Sequence, residues 1–162
     1  MILGGILAAV AVSGGVSTGH ASPDLPKKGS TVTGIAVAID GDTLMMEDGL
    51  RVRLADVSAP EADNWPWGPR ARAVLDRVIG TPDDPRGPVT CTVTGRSHKR
   101  AVARCVNGRG ENLAAAVVRS GYGMSWRTYA YPDGPGGDLH LLDRAEIDAR
   151  GLGRGVWSQQ RQ

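Results

Sequence analysis

The sequence predicts a small α+β domain, and three observations carry that expectation. The chain has 162 residues, which is room for one domain and no more. Five short β-branched or apolar segments are separated by turn signals, and three other segments carry helical start and stop residues. The 23 Gly and 10 Pro supply the turns such an arrangement needs. Four Trp, three Tyr and no Phe leave the core to Val, Leu, Ile and Ala. A five-stranded barrel of the OB type with three helices satisfies this element count.

Residues 31–39 (TVTGIAVAI) are β-branched and apolar, and Gly41-Asp42 breaks the run before Leu44, Met45 and Met46. Asp48-Gly49 is a hairpin signal, and residues 51–57 (RVRLADV) alternate as a half-buried strand does. Residues 89–94 and 101–106 supply two more strands. Helices are expected over 69–79, over 113–120 with Asn112 as cap and Gly121 as stop, and over 139–150 with Asp138 as cap. The stretch 65–69 (WPWGP) reads as a stiff loop entering the first helix.

Residues 1–21 carry no charged side chain, and residues 2–12 are almost continuously apolar. That run is short for a membrane span, which needs about 20 residues. Gly19 and Ala21 stand at −3 and −1 of a cleavage point before Ser22, so residues 1–21 read as an export signal, or as an uncleaved anchor. Residues 22–30 form a linker, and the folded domain is expected over 31–158. An oxidising compartment favours a Cys91–Cys105 disulfide over a metal site, because structural zinc needs four ligands. A turn at Ser97-His98-Lys99 would place the two cysteines opposite each other. Two reduced core thiols are the alternative.

A formal net charge of +2 does not demand a polyanionic partner, but the charges are segregated. Residues 86–110 hold six basic side chains and no acid, whereas residues 128–148 hold five acids and one Arg. The first block is either a solvated face or a local positive field that a phosphate chain follows. Asp40 and Asp42 flank Gly41 at a turn and offer hard oxygen ligands. Arg53 and Glu61 bracket Leu-Ala-Asp-Val-Ser-Ala-Pro, and Arg100 opens a strand after a basic turn.

The order IDGDT (39–43), then Arg53-Leu with Ala59-Pro60-Glu61, then RAVARC (100–105), then VRSGY (118–122), then Gly-Val-Trp157 resembles the thermonuclease, or staphylococcal-nuclease-like, family. The likeness covers nearly all of residues 32–157. It implies an OB-type barrel with three helices and Ca²⁺-dependent hydrolysis of phosphodiester bonds in DNA and RNA. It further implies Asp42 as a metal-binding carboxylate, Asp40 as a nearby acid orienting metal-bound water, and Ala59 as a backbone-carbonyl ligand. Arg53 and Arg100 correspond to the arginines that grip the phosphate, and Glu61 to the acid that activates or positions the attacking water. Lys99, His98 and Tyr129 fall where the family contacts the nucleotide. The implied protein is an exported monomer with no small-molecule cofactor, and with no stable membrane association unless the N-terminal segment persists.

Two departures stand out. Ser58 occupies the position of a second metal-ligating Asp, and a hydroxyl is a neutral, weaker Ca²⁺ ligand. Asp56 lies two positions earlier as a conceivable substitute. His98 replaces a nucleotide-contacting Tyr, and Lys99 replaces Gly. Trp126 reads as a core aromatic, and Trp157 as a packing anchor for the last helix. Three functional readings stay open: an exported nuclease, a nucleic-acid-binding module that has lost catalysis, and an interaction domain using the acidic C-terminal third.

Overall fold

A computed structural model describes residues 24–81, 84–126 and 139–161. The expected export segment, Tyr129 and the Asp138 cap lie outside them. The five expected strand regions supply β1 (Thr31–Gly34), β2 (Ala36–Ala38), β3 (Thr43–Met46), β4 (Arg51–Leu54), β8 (Val89–Ser97) and β9 (Arg100–Val106). These form one curled mixed sheet in the order β1-β8-β9-β4-β3-β2. The expected first strand is interrupted at Ile35. Its first half pairs with β8 and its second half with β3, so the two edges of the sheet are successive pieces of one stretch of chain. That is how a five-stranded OB-type barrel curls round on itself, and the domain has the α+β class the sequence predicts.

Local chemistry accounts for the junctions. Asp48 turns β3 into β4, its Oδ1 accepting from the Leu50 N–H at 2.9 Å while the Gly49 N–H reaches the Met46 carbonyl at 2.9 Å. Residues 51–57 are two strands rather than one. Ala55 and Asp56 form a turn, with Asp56 at φ 64°, and β5 (Val57–Ser58) leaves the sheet to pair with β10 (Met124–Ser125). His98, at φ 55°, makes the tight turn between β8 and β9. That turn sets Cys91 opposite Cys105, and the two are bridged. Two-residue strands β6 (Gly80–Thr81) and β7 (Asp84–Pro85) form a further small ribbon.

Helix α1 (Trp67–Ile79) starts two residues earlier than expected, α2 (Leu113–Arg119) ends one residue earlier, and α3 spans Leu139–Gly151. Asn112 caps α2 by accepting from the Ala115 N–H at 2.9 Å. Leu44, Val52, Leu54, Leu75, Val89, Val93, Leu113, Val117 and Leu142 are fully buried, the aliphatic core that a chain without Phe must build. Asn107, itself buried, locks the turn before α2. Its Oδ1 accepts from Arg109 and Glu111, and its Nδ2 donates to the Val78 carbonyl of α1. Trp157 is buried under the Arg150 guanidinium, 4.1 Å from its ring centroid, as a packing anchor should be.

Two close approaches seat the segments that carry Asp42 and Glu61. A Cβ on Gly41 would stand 2.5 Å from the Ala71 Cβ and 2.6 Å from the Ala59 Cβ, so only Gly lets the Asp40–Asp42 turn press against α1 and the end of β5. A Cβ on Gly68 would lie 2.0 Å from the Glu61 carbonyl oxygen, so the first turn of α1 seats the Glu61 loop directly.

The disulfide joins the two strands whose turn presents Arg100, with both cysteines buried. A bridge closing a loop of this size stabilises by about 3 kcal/mol in the chain-entropy model. The double variant Cys91→Ala, Cys105→Ala is therefore expected to melt roughly 10 °C lower in scanning calorimetry. An unchanged transition would show that the bridge adds nothing to the fold.

Candidate active site

Strand periodicity builds the site. In β9, Ala101, Ala103 and Cys105 face the core, so Arg100, Val102 and Arg104 face the other way. In β4, Val52 and Leu54 are buried and Arg53 points outward with them. The two strands run parallel with Arg53 in register with Val102, midway between Arg100 and Arg104. Three guanidiniums thus share one face of two neighbouring strands. They line a cleft of about 520 Å³ whose wall also includes Asp40, Asp42, Ser58 and Glu61.

Asp42 is the most constrained of these groups. It is buried, just ahead of β3, where Thr43 lies in register with Arg53. Its Oδ1 forms an ion pair with Arg53 Nη1 and accepts from the Thr43 hydroxyl at 3.1 Å. Its Oδ2 accepts from the Ala59 N–H at 3.0 Å, and its own N–H donates to Asp40 Oδ1 at 2.9 Å. Asp40 is half-buried, and that desolvation pushes its carboxyl above the usual carboxylate range. The Asp42 charge adds to the rise, while the N–H groups of Asp42 and Thr43 and the Thr43 hydroxyl oppose it.

Arg53 is held on three sides. Besides Asp42, its Nη2 approaches the Val57 carbonyl at 3.4 Å, and its guanidinium lies 5.3 Å from the centre of the Trp126 ring. Arg100 has no ion-pair partner among the described residues, so it is the guanidinium with capacity for an incoming anion. Glu61 is exposed at the rim, on the loop seated by Gly68.

Asp56 does not stand in for the missing carboxylate. It is buried, and its Oδ2 accepts from Arg104 Nε at 3.0 Å. Removing one partner of such a pair strands a buried charge, at a cost of about 3–5 kcal/mol. Arg104 and Asp56 are cleft residues that motif order alone does not single out. The two-residue periodicity running from Arg100 to Arg104 is the signal that places both arginines on one face. Trp126 is not a core residue: it is 36% exposed and lines the cleft. Its position at the end of β10 turns it outward, because the Trp126 N–H is tied to the Asp56 carbonyl at 2.8 Å.

Lys99 and His98 lie at the exposed β8–β9 turn and do not line the cleft, whereas the adjoining Ser97 and Arg96 do. The acidic C-terminal helix is structural where it meets the site. Glu146 accepts from the Ser125 N–H at 2.7 Å, and Asp143 accepts from the Ser125 hydroxyl at 3.1 Å, which fastens β10 against the cleft.

The cleft wall at the Asp42 corner offers oxygen donors, the Asp40 and Asp42 carboxylates and the Ser58 hydroxyl, while Ala59 meets Asp42 through its N–H and does not line the cleft. This set fits a hard cation such as Ca²⁺ and offers it two formal charges. Asp42 already engages Oδ1 with Arg53 and Thr43 and Oδ2 with the Ala59 N–H, so the fit is that of a weak site. Among the described residues no cluster of three or more His, Cys, Asp or Glu is grouped tightly enough to hold a metal on its own.

Comparison with known proteins identifies the family. No curated protein matches the chain. The family model described as staphylococcal nuclease homologue matches residues 51–159, a span containing Arg53, Ser58, Glu61 and Arg100, with Asp40 and Asp42 just ahead of it. That match covers most of the chain, from β4 to the final 3-10 turn (Gly155–Arg161), and the curled mixed sheet and three helices accord with it. The protein belongs to the staphylococcal nuclease homologue family.

Proposed function

We propose that the protein is an exported nuclease that hydrolyses phosphodiester bonds in DNA or RNA in the cleft between Arg53 and Arg100. One observation carries this reading: Asp40, Asp42, Arg53, Glu61 and Arg100, widely dispersed along the sequence, line a single cleft. Phosphoryl transfer needs chiefly charge stabilisation and in-line placement of the nucleophile, and these side chains provide both. The apolar residues 1–21 and the disulfide support export to an oxidising compartment.

Arg100, with capacity for a new partner, takes the phosphate first, as a planar fork matched to two of its oxygens. Arg53 donates from the opposite side. Its ties to Asp42, Val57 and Trp126 mean that it loses little side-chain freedom on binding, so its contribution is already oriented. Glu61 accepts a proton from the attacking water as the new P–O bond forms. The bond to the departing ester oxygen breaks, and that oxygen takes a proton from solvent. Negative charge gathers on the non-bridging oxygens between the two guanidiniums. Asp42 and Asp40, with Ser58, would hold a Ca²⁺ ion, which when bound neutralises part of that charge.

Incubation of the protein with plasmid and with RNA in Ca²⁺, in Mg²⁺ and in chelator tests the reading. Cleavage that requires a divalent ion is expected. Tight binding with no cleavage under any ion would replace the nuclease with a nucleic-acid-binding module. Absence of both binding and cleavage would leave neither.

Two variants examine the parts. Glu61→Gln is expected to slow cleavage by about 10²–10⁴-fold while oligonucleotide affinity changes little. Equal turnover would remove Glu61 from proton transfer. Ser58→Asp adds a third carboxylate to the corner and is expected to tighten Ca²⁺ binding at least tenfold by titration calorimetry, on the order of 1.4 kcal/mol. No gain would place the cation elsewhere.

A further inference from the structure

Next to the cleft lies a second pocket of about 280 Å³, which shares Ser58 with it and whose aromatic wall has no part in the proposed hydrolysis. The partition between the two is thin. It is the two-residue ribbon of β5 and β10, where Ser58 is in register with Met124, and Ser58 lines both cavities. On the far side, Trp67 and Tyr122 form aromatic walls with ring centres 6.2 Å apart and planes inclined by 42°. Neither ring is fully buried, and Met124 beside them is 45% exposed. The carboxamide of Asn64 lines the opening, with no hydrogen-bond partner among the described residues.

This combination has a chemical meaning. Two inclined aromatic faces and a thioether receive a flat, polarisable ring, and a carboxamide offers a donor and an acceptor to a ring edge. Among the described residues no basic or acidic side chain lines the pocket, although the Arg70 guanidinium lies 5.5 Å from the centre of the Trp67 ring. The shared Ser58 makes the pocket a neighbour of the cleft that Arg53 and Arg100 line, within reach of the same bound chain. Only a base free of a pairing partner can leave the strand and enter a pocket.

We propose that the Trp67–Tyr122 pocket binds an unpaired nucleobase of the nucleotide adjacent to the phosphate held in the cleft. The inference rests on the nucleic-acid reading of that cleft and adds to it a base-binding subsite, with selection for unpaired strands as its consequence. Asn64 reads the edge of the base, and the aromatic pair reads its face.

The test is fluorescence polarisation in chelator, with the full protein and two labelled hexanucleotides of equal charge, hexathymidylate and an abasic sugar-phosphate hexamer. The protein is expected to bind hexathymidylate at least about fivefold more tightly, the effect of one stacked base. Tyr122→Leu is expected to bring the two affinities together by weakening hexathymidylate alone. Asn64→Ala, on an exposed loop where misfolding is not at issue, is expected to narrow the ratio about twofold to fivefold through the lost edge contact. Equal affinities in the unaltered protein overturn the pocket assignment while leaving the cleft intact. A preference for hexathymidylate that both variants retain also overturns it, and gives the base to the Trp126 rim of the cleft. Failure to bind either hexamer overturns the nucleic-acid reading itself.

Discussion

A buried carboxylate with both oxygens committed holds the working end of this barrel together. Asp42 takes the Arg53 guanidinium and the Thr43 hydroxyl on one oxygen and the Ala59 amide on the other. It therefore joins the start of β3, the middle of β4 and the segment that carries Glu61. Buried charge is tolerable only when its lone pairs are satisfied, and here each partner belongs to a different element. The same bonds orient Arg53 into the cleft and draw residues 58–61 against the Asp40–Asp42 turn. Gly41 makes that approach sterically possible, since any side chain there would collide with Ala59 and Ala71.

Around this anchor the cleft obtains its charge from strand geometry. Parallel pairing of β4 with β9 places Arg53 between Arg100 and Arg104, and each of the three has a different role set by what it touches. Arg53 is fixed by Asp42, Arg104 is balanced by buried Asp56, and Arg100 retains capacity for a substrate anion. The cluster is thus less positive than the run of basic residues in the sequence implies. Arg96, exposed at the cleft edge, donates to the Leu25 carbonyl at 3.0 Å.

The far wall depends on the C-terminal third. Glu146 and Asp143 of α3 hold Ser125, and Ser125 pairs with Val57 across the β5–β10 ribbon. The acids that looked like a surface patch are in part internal fasteners for the partition between the cleft and the aromatic pocket. That arrangement also explains Trp126. Carried at the end of the ribbon, with its amide bound to Asp56, its ring faces the cleft and Arg53 rather than the core.

The sequence by itself determined the class of fold, the turns and most of the site's membership. Asp48-Gly49, Asn112 and the alternation along 51–54 and 100–106 act over a few residues, where backbone sterics and local hydrogen bonds decide conformation. The family resemblance carried by the motif order named Asp40, Asp42, Arg53, Glu61 and Arg100 as companions, and the fold brings all five to one cleft. Only the tertiary structure decided which charges are spent. That Asp56 belongs to Arg104, that Asp42 belongs to Arg53, that residues 51–57 split to form a partition, and that Trp126 faces outward all depend on pairings between segments distant in the chain. Composition and spacing carry no record of such pairings, because an ionic or aromatic side chain takes its role from whichever distant partner the packed backbone brings within reach.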